Sequence, residues 1–332
     1  MAEPDFQVRP SVMVGDTAEV SLHRGITVLR NEGINPVVTM EFQSVVSGRF
    51  CGVREAKALL SKVLPESNRE VWAVEEGTSI DAGEVVLTIS APYGSFALYE
   101  TAICGTISHS TGWATASMEC VEAAGGVPVI SAGARYVHPG VAGVMEYASM
   151  VGGCVSCSTN QGATLSSTAA TGTVSPNVVL VVGDLVRTME AFDKHIPHEV
   201  SRVAPVNVFR DETEESLSLA GSLRQRLRGV ILETSHVGMA VSPSLVKEVR
   251  ARLDLADHNH IEIYVRGDLD PQQIKEFVDQ CAPVNAFEVE RYISGAKPHA
   301  FHSDIHVVDG KPIAKRGRLP GQTANAKLMQ VI

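Results

Sequence analysis

The residue types best suited to chemistry lie between positions 131 and 163. A cation, Arg135, and an imidazole, His138, follow directly on an apolar run. A guanidinium beside backbone N–H groups binds anions such as carboxylates and phosphates. A second apolar run, rich in glycine, is followed by Ser158 and Asn160, which add a hydroxyl and an amide. This arrangement predicts a binding site for an anionic small molecule.

Strands that end at a common edge would bring these groups together. From position 127 onward, apolar runs recur with spacings of roughly 20 to 32 residues, about one strand, one helix and their loops. Val and Ile occur at both odd and even positions of these runs, which is typical of strands buried on both faces of a parallel sheet. The predicted strands are 127–132, 151–157, 178–183, 206–209, 229–234, 261–266 and 285–290. The pattern favours a closed or nearly closed α/β barrel, with a doubly wound sheet as the alternative.

In such a barrel the carboxyl ends of the strands carry the site. Glu233 lies at the end of one predicted strand, and Gly267 and Asp268 follow the next one. Taken singly, an acid at such a position is more simply a solvated loop residue or a helix cap. Asp270, which precedes Pro271, is a predicted N-cap of this kind. The placement of several polar groups on one rim nevertheless favours a ligand site there.

The first third of the chain has a different pattern. The pattern predicts helices at 19–33 and 53–64 and a strand, rich in β-branched residues, at 36–46. The region 69–98 has short apolar runs separated by turn signals, which predicts antiparallel strands. A further helical region is predicted at 98–124. We therefore expect an α/β region before the barrel. Near the other end, Asp309–Gly310 predicts a hairpin.

Composition limits the classes of partner. The 332 residues carry a net charge of -10, which argues against general binding to nucleic acid or to a membrane surface. No apolar run reaches the roughly 18 residues of a membrane span, and the first residues lack the apolar core of a signal peptide. A cytoplasmic location is the expectation. The pair Cys154 and Cys157 has no second pair to complete a zinc site, and we assign no metal ligands to the protein.

Several blocks of the sequence together resemble a known family. The segment GARYVHPGVAGVMEYASMVGGCVSCSTNQGA (133–163) is similar to a run of the nicotinate phosphoribosyltransferase family, the type II phosphoribosyltransferase fold. Blocks in the same order are EFQSVVSGRFCGV (41–53), TGWATAS (111–117), GDLVRTMEAFD (183–193), PVNVFRDETEES (205–216) and GDLDPQQIKEF (267–277). The resemblance covers about residues 15 to 320.

The resemblance implies a specific architecture. It implies an N-terminal α/β sandwich domain over residues 1–118 and an irregular α/β barrel over 119–295. A C-terminal extension, 296–332, is expected to pack back on the N-terminal domain. The resemblance also implies a homodimer or higher homo-oligomer with sites near the subunit interface.

The family joins nicotinate to 5-phosphoribosyl 1-pyrophosphate (PRPP), releases pyrophosphate, and uses Mg²⁺ with the help of ATP hydrolysis. By resemblance, Arg135 binds the nicotinate carboxylate or a phosphate, and His138 supports the same loop or contacts PRPP. Glu233 and Asp268 are the implied catalytic acids, facing the ribose or the metal. The remaining implied substrate-binding residues are Ser158, Asn160, Thr173 and Gly267.

This chain departs from the family at three chemical roles. No aromatic residue stands near Ser21 to stack on the pyridine ring. Pro176 replaces the histidine that takes a phosphoryl group from ATP, so participation of ATP stays open. Glu288 and Glu290 stand where the family has a glycine-rich phosphate loop. Three hypotheses remain: a phosphoribosyltransferase for nicotinate or a related ring, an enzyme with another base or sugar donor, and a non-catalytic regulatory homologue.

Overall fold

Two six-stranded sheets organise the chain, one antiparallel and one parallel. The computed structural model describes residues 6–233 and 240–332. The first part contains α1 (Pro10–Met13), α2 (Val20–Asn31), β1 (Val37–Ser44), β2 (Gly48–Arg49), α3 (Val53–Val63), β3 (Glu70–Ala73), β4 (Ser79–Ile80), β5 (Val85–Pro92), α4 (Tyr93–Phe96) and α5 (Glu100–Ala123).

The second part contains β6 (Val129–Ser131), α6 (Pro139–Val151), β7 (Ser156–Cys157), α7 (Asn160–Ser166), α8 (Pro176–Val182), α9 (Leu185–His195), β8 (Arg202–Pro205), α10 (Glu212–Leu223), β9 (Leu227–Glu233), α11 (Pro243–Leu255), β10 (Glu262–Gly267), α12 (Pro271–Asp279), β11 (Ala286–Val289) and α13 (Arg291–Ser294). The last strands are β12 (Phe301–Val308), β13 (Lys311–Pro312) and β14 (Met329–Gln330). Short 3-10 turns occur at Ala97–Tyr99, Ala134–Tyr136 and Arg224–Arg226.

The antiparallel sheet has the strand order β13-β12-β1-β5-β3-β14. Its central strand β1 packs Val38, Met40 and Phe42 into a core shared with α3 and α5. The opposite face is covered as well, because the backbone N–H of Thr323 donates to the buried Glu41 carboxylate at 2.7 Å. The predicted hairpin at the tail is confirmed by the pairing of β12 with β13. The chain after the barrel thus contacts both the edge and the face of this sheet.

The parallel sheet has the order β7-β6-β11-β10-β9-β8, with helices packed outside it. The extended segment 168–174 lies between the two edge strands. Thr171 donates its N–H to Cys157 O at 2.8 Å, and the hydroxyl of Thr173 donates to Val203 O. The sheet therefore curls into an irregular half-barrel. The mixed α/β class with a curled parallel sheet and a separate antiparallel sheet agrees with the sequence prediction.

Three predicted strands need correction. The run 178–183 belongs to helix α8, which Ser175 caps through its side chain and which begins at Pro176. Most of 151–157 is the end of α6 and a turn, with β7 only two residues long. The strand predicted at 206–209 is instead β8, Arg202–Pro205. A short apolar run by itself is compatible with a helix or with a strand. At α8, the Ser175 cap and Pro176 at the first helical position favour the helix.

Helix α5 connects the two sheets, and the predicted boundary between residues 118 and 119 falls inside it. Its small residues permit close packing. A Cβ atom at Gly112 would lie 2.3 Å from Lys297 O, and one at Gly152, directly after α6, would lie 2.3 Å from Ala114 O. No helix in the described ranges is both long and apolar enough to cross a bilayer.

Candidate active site

The rim of the half-barrel carries a row of charged side chains at the ends of neighbouring strands. Glu233 of β9 is in register with Arg266 of β10, and Arg266 is in register with Glu288 of β11. The Arg266 Nε atom donates to the Glu288 carboxylate at 2.6 Å, and both side chains are largely buried. The pair keeps the Glu288 charge compensated, which the sequence alone did not indicate.

Glu290 lies directly after β11, at the centre of this rim, and its side chain is buried, with the residue 6% exposed. The hydroxyl of Tyr136 donates to its carboxylate at 3.3 Å. Burial raises the pKa of the Glu290 carboxyl, and the nearby Glu233 carboxylate raises it further, while Arg266 and Arg135 oppose the change. Arg135 and Glu233, two residues selected from the sequence, therefore both face Glu290. Perturbed acids of this kind are typical of functional sites.

Asp268 lies on the same rim and is held by Arg291, the first residue of α13. Its carboxylate accepts from the Arg291 backbone N–H at 3.3 Å and pairs with the guanidinium. The guanidinium carbon in turn lies 5.9 Å from the centre of the Tyr136 ring. Asp268 thus joins Arg135 and Glu233 on one rim. Its neighbour Asp270 is confirmed as the cap of α12.

The loop after β7 is fixed by a buried acid, Glu146 of α6. One carboxylate oxygen accepts from Ser158 N at 2.8 Å and from Ser158 Oγ at 2.6 Å. The other accepts from Thr159 N at 3.0 Å and from the Thr159 hydroxyl. Glu146 is completely buried, so its charge is balanced by these four donors. The hydroxyl of Ser158 is therefore engaged within the protein, and Asn160 is presented at the start of α7.

Two of the residues selected from the sequence contribute to the barrel framework. The Thr173 hydroxyl is bonded to Val203 O, in the segment between the two edge strands. Gly267 is buried at a φ of 143°, which favours glycine, and its carbonyl accepts from Glu290 N at 3.1 Å. Gly267 therefore supports the backbone beneath the acid rim, whereas Thr173 lies near β8.

A cavity of about 960 Å³ adjoins this rim. It lies between α3 and α5 on one side and α6 and α7 on the other, and His138 and Asn160 line it. The Trp113 indole N–H donates to Ser294 O at 3.2 Å. Ser294 both lines the cavity and donates its hydroxyl to Glu290 O at 3.2 Å, so cavity and rim meet at α13. The volume suits a small-molecule ligand.

The structure divides the residues selected from the sequence into three groups. Arg135, Glu233 and Asp268 belong to the rim, and His138 and Asn160 belong to the cavity. Ser158, Thr173 and Gly267 are engaged in the framework. Sequence reasoning missed Arg266 and Tyr136, because their partners become known only from sheet register and loop packing. In the chain as described, no group of three or more His, Cys, Asp or Glu side chains is arranged to hold a metal ion.

Comparison with known proteins identifies the family. The quinolinate phosphoribosyl transferase N-terminal domain matches residues 25–111, and the C-terminal domain of the same family matches residues 113–304. The chain belongs to this family. The resemblance to nicotinate phosphoribosyltransferases seen in the sequence is thereby confirmed at the level of the broader family.

Named relatives agree with this assignment. The solved structure of nicotinate-nucleotide pyrophosphorylase from Pyrococcus furiosus is 34% identical, with a TM-score of 0.87, and covers 96% of this chain and 82% of its own. Nicotinate phosphoribosyltransferase pncB2 of Mycobacterium tuberculosis is 28% identical over 66% of this chain. The nicotinate-nucleotide pyrophosphorylase [carboxylating] of Mycobacterium leprae is 28% identical over 56% of this chain and 66% of its own. The chain spans about half, 47%, of the length of pncB2.

Proposed function

We propose that the protein is a phosphoribosyltransferase that joins nicotinate, or a related pyridine ring, to PRPP and yields the mononucleotide and pyrophosphate. Family membership and the names of the relatives support this reaction. The observation that carries the proposal is the cavity of about 960 Å³, which reaches His138 and Asn160 and meets the charged rim at α13.

The charges of the rim suit cleavage of the bond between C1 of the ribose and pyrophosphate. As pyrophosphate leaves, C1 of the ribose gains positive charge, and carboxylates placed nearby stabilise it electrostatically. Glu233 and Glu290 face each other on the rim and are the acids we assign to this task, with Asp268 beside them. Arg135 faces the same acids from the β6 loop, and we assign it to an anionic group of the substrate.

Mg²⁺ is the cofactor we propose, carried to the site by PRPP. This ion is commonly held by one or two protein carboxylates together with substrate phosphates, and Glu233 and Glu290 offer such a donor pair. When bound, Mg²⁺ offsets the charge of the leaving pyrophosphate. We propose no coupling to ATP, since Pro176 at the start of α8 has no side-chain atom that could accept a phosphoryl group.

A homodimer or higher homo-oligomer is also proposed. Helix α8 leaves Val178, Leu180 and Val181 exposed at 46%, 54% and 88%. Apolar side chains clustered on one short helix are typical of a surface that another protein covers. Light scattering after size-exclusion chromatography measures the mass, and a monomer at micromolar concentration contradicts this part of the proposal.

One observation favours a second candidate, a non-catalytic homologue. Two rim acids, Glu288 and Asp268, are already paired with Arg266 and Arg291, so these arginines are engaged without a ligand. In such a homologue the rim would serve the stability of the fold rather than the binding of phosphates.

Turnover separates the two candidates. Purified protein is incubated with PRPP and Mg²⁺, with nicotinate or quinolinate, and with or without ATP, and mononucleotide and pyrophosphate are quantified. We expect product with at least one ring, at a rate independent of ATP. Arg135→Ala is expected to abolish binding of the anionic substrate without unfolding, and Arg187→Ala on the exposed face of α9 is the matched control. The absence of product with both rings, together with no PRPP binding by calorimetry, would refute the proposed reaction.

A further inference from the structure

A buried carboxylate, Glu76, connects the two opposite walls of the cavity. It lies in the turn between β3 and β4, and its side chain is 2% exposed. On one side its Oε1 atom accepts from the backbone N–H groups of Gly52 and Arg54, at 2.8 Å and 3.0 Å, at the start of α3. On the other side its Oε2 atom accepts from the hydroxyl of Tyr147 in α6 at 2.5 Å. One side chain thus joins α3 to α6.

The bonds to α3 replace a missing helix cap. Gly52, the residue before α3, has no side chain that could accept from the first N–H groups of the helix, and its φ of 103° favours glycine. The Glu76 carboxylate takes this role, and its negative charge is favourable at the amino end of a helix. The first turn of α3 is therefore held from outside the helix, so the position of α3 depends on that of Glu76.

The bond to α6 is buried as well. Tyr147 is 5% exposed, and the edge of one ring meets the face of the other where it packs on Phe6, with centroids 5.1 Å apart. Burial and the neighbouring Glu76 carboxylate raise the pKa of the Tyr147 hydroxyl, which therefore stays protonated as the donor of the hydrogen bond. Because water does not replace a lost partner in a buried pair, this bond resists separation of α6 from Glu76.

Both of the connected helices line the cavity. Ala56 and Leu59 of α3 lie in one wall, and Val144 of α6 lies in the opposite wall. Tyr147 follows Val144 by three residues, so the two side chains share one face of α6. Phe6, which packs on Tyr147, lines the cavity too. The spacing of the walls thus depends on a hydrogen bond that lies behind them.

We propose that Glu76 is a positioning residue for the ring substrate. Through Tyr147 its carboxylate keeps α3 and α6 at the spacing that accepts a planar ring, and neither of the two residues lies in the cavity wall. Without this bond the walls separate in part of the molecules, and the measured affinity falls with the fraction that keeps the binding-competent spacing. The choice of a pyridine ring rests on the proposed function, whereas the connection of the walls rests on the contacts themselves.

Tyr147→Phe tests the bond, because it removes the hydroxyl and keeps the ring on which Phe6 packs. Calorimetry is expected to show nicotinate or quinolinate binding weakened about 3- to 10-fold, the equivalent of one hydrogen bond. The KM for the ring is expected to rise by the same factor, with kcat changed less than about twofold. Tyr93→Phe is the matched control, since the Tyr93 hydroxyl donates to Glu100 at 2.7 Å and neither residue lies in the cavity wall. This control is expected to lose similar stability in urea and to keep its ring affinity.

Variants of Glu76 separate positioning from a general loss of stability. In Glu76→Gln the amide oxygen still accepts from Gly52 and Arg54, and the NH2 group donates to the Tyr147 oxygen, so the ring affinity is expected to stay within about twofold of wild type. In Glu76→Ala the affinity is expected to fall at least as far as in Tyr147→Phe. Adding Tyr147→Phe to Glu76→Ala is expected to cause no further loss, because both changes remove the same bond.

Several outcomes would overturn the positioning role. They are an unchanged ring affinity in Tyr147→Phe, an equal loss in Tyr93→Phe, additive losses in the double variant, and a wild-type protein that binds neither ring. The inference and the proposed function fail separately. Weaker ring binding in Tyr147→Phe, combined with no product from PRPP, would leave the positioning role and remove the reaction. Product from the wild type with the same KM for the ring in Tyr147→Phe would leave the reaction and remove the positioning role.

Discussion

Glu146→Gln tests how the loop after β7 is held. The wild-type carboxylate accepts four hydrogen bonds, two on each oxygen, from Ser158 and Thr159. The amide keeps one oxygen and turns an NH2 group toward one backbone N–H and one hydroxyl. The hydroxyl can rotate and accept instead, but the backbone N–H cannot. One buried donor therefore loses its charged acceptor, which costs roughly 1.5–3 kcal/mol.

Urea denaturation followed by circular dichroism measures this loss. The protein is expected to stay folded, because domains of this kind have free energies of unfolding of about 5–15 kcal/mol. Glu122→Gln is the matched control, since Glu122 is exposed on α5, and its change is expected within about 0.5 kcal/mol. Since Asn160 follows the fixed turn into the cavity, a parallel rise in KM for the ring substrate is expected in Glu146→Gln. A loss below about 0.5 kcal/mol in Glu146→Gln would show that the carboxylate does not hold the loop, and would refute the reasoning.

Three further predictions concern stability. Arg202→Met is expected to lower the free energy of unfolding by about 1–3 kcal/mol in urea, because it removes the buried partner of the Asp193 carboxylate while Arg226 still pairs with that carboxylate. Gly152→Ala is expected to lower the free energy of unfolding by about 1–3 kcal/mol, because the new methyl group would lie 2.3 Å from a backbone oxygen. Gly221→Ala on α10, where no atom outside the helix backbone lies within 4 Å of an added Cβ atom, is expected to leave that free energy unchanged or to raise it by up to about 1 kcal/mol. Equal melting curves for the two variants would contradict the packing argument. Glu290 has a folded-state pKa above its ordinary value of 4.5, so the folded state binds this proton more tightly and the stabilisation is lost as the pH rises through that pKa. The stability of Glu290→Gln relative to wild type should therefore increase as the pH rises from the ordinary carboxyl pKa of 4.5 through the raised folded-state pKa, and a constant difference would contradict the assigned burial effect.

The elements of the first third follow closely from local signals. The β-branched stretch predicted at 36–46 is β1, and the helical stretches predicted at 19–33 and 53–64 are α2 and α3. Each of these segments has enough length and a clear enough periodicity to identify it without its neighbours. The three strands that were wrongly predicted are short and mostly apolar, and such runs look alike in the sequence whether they are helical or extended.

The site was foreseen in part. The positions of Arg135, Glu233 and Asp268 at strand ends follow from the βα repeat, because parallel strands place their carboxyl ends on one side. Their partners could not be foreseen. The pairing of Arg266 with Glu288 depends on the register of two parallel strands, and register is set by how the whole sheet packs. The division of domains and the cytoplasmic location stay predictions.

The sequence by itself determined the broader family, the main helices and first strand of the first third, and the residue types at the ends of several later strands, because these depend on local periodicity and on motifs of adjacent residues. Only the tertiary structure decided which charges are compensated. It pairs Arg266 and Arg291 with acids of the rim and surrounds the buried Glu146 with four donors from the loop after β7. The physical reason is that the energy of a charge depends on its burial and on its nearest partners, and segments distant in the chain supply both.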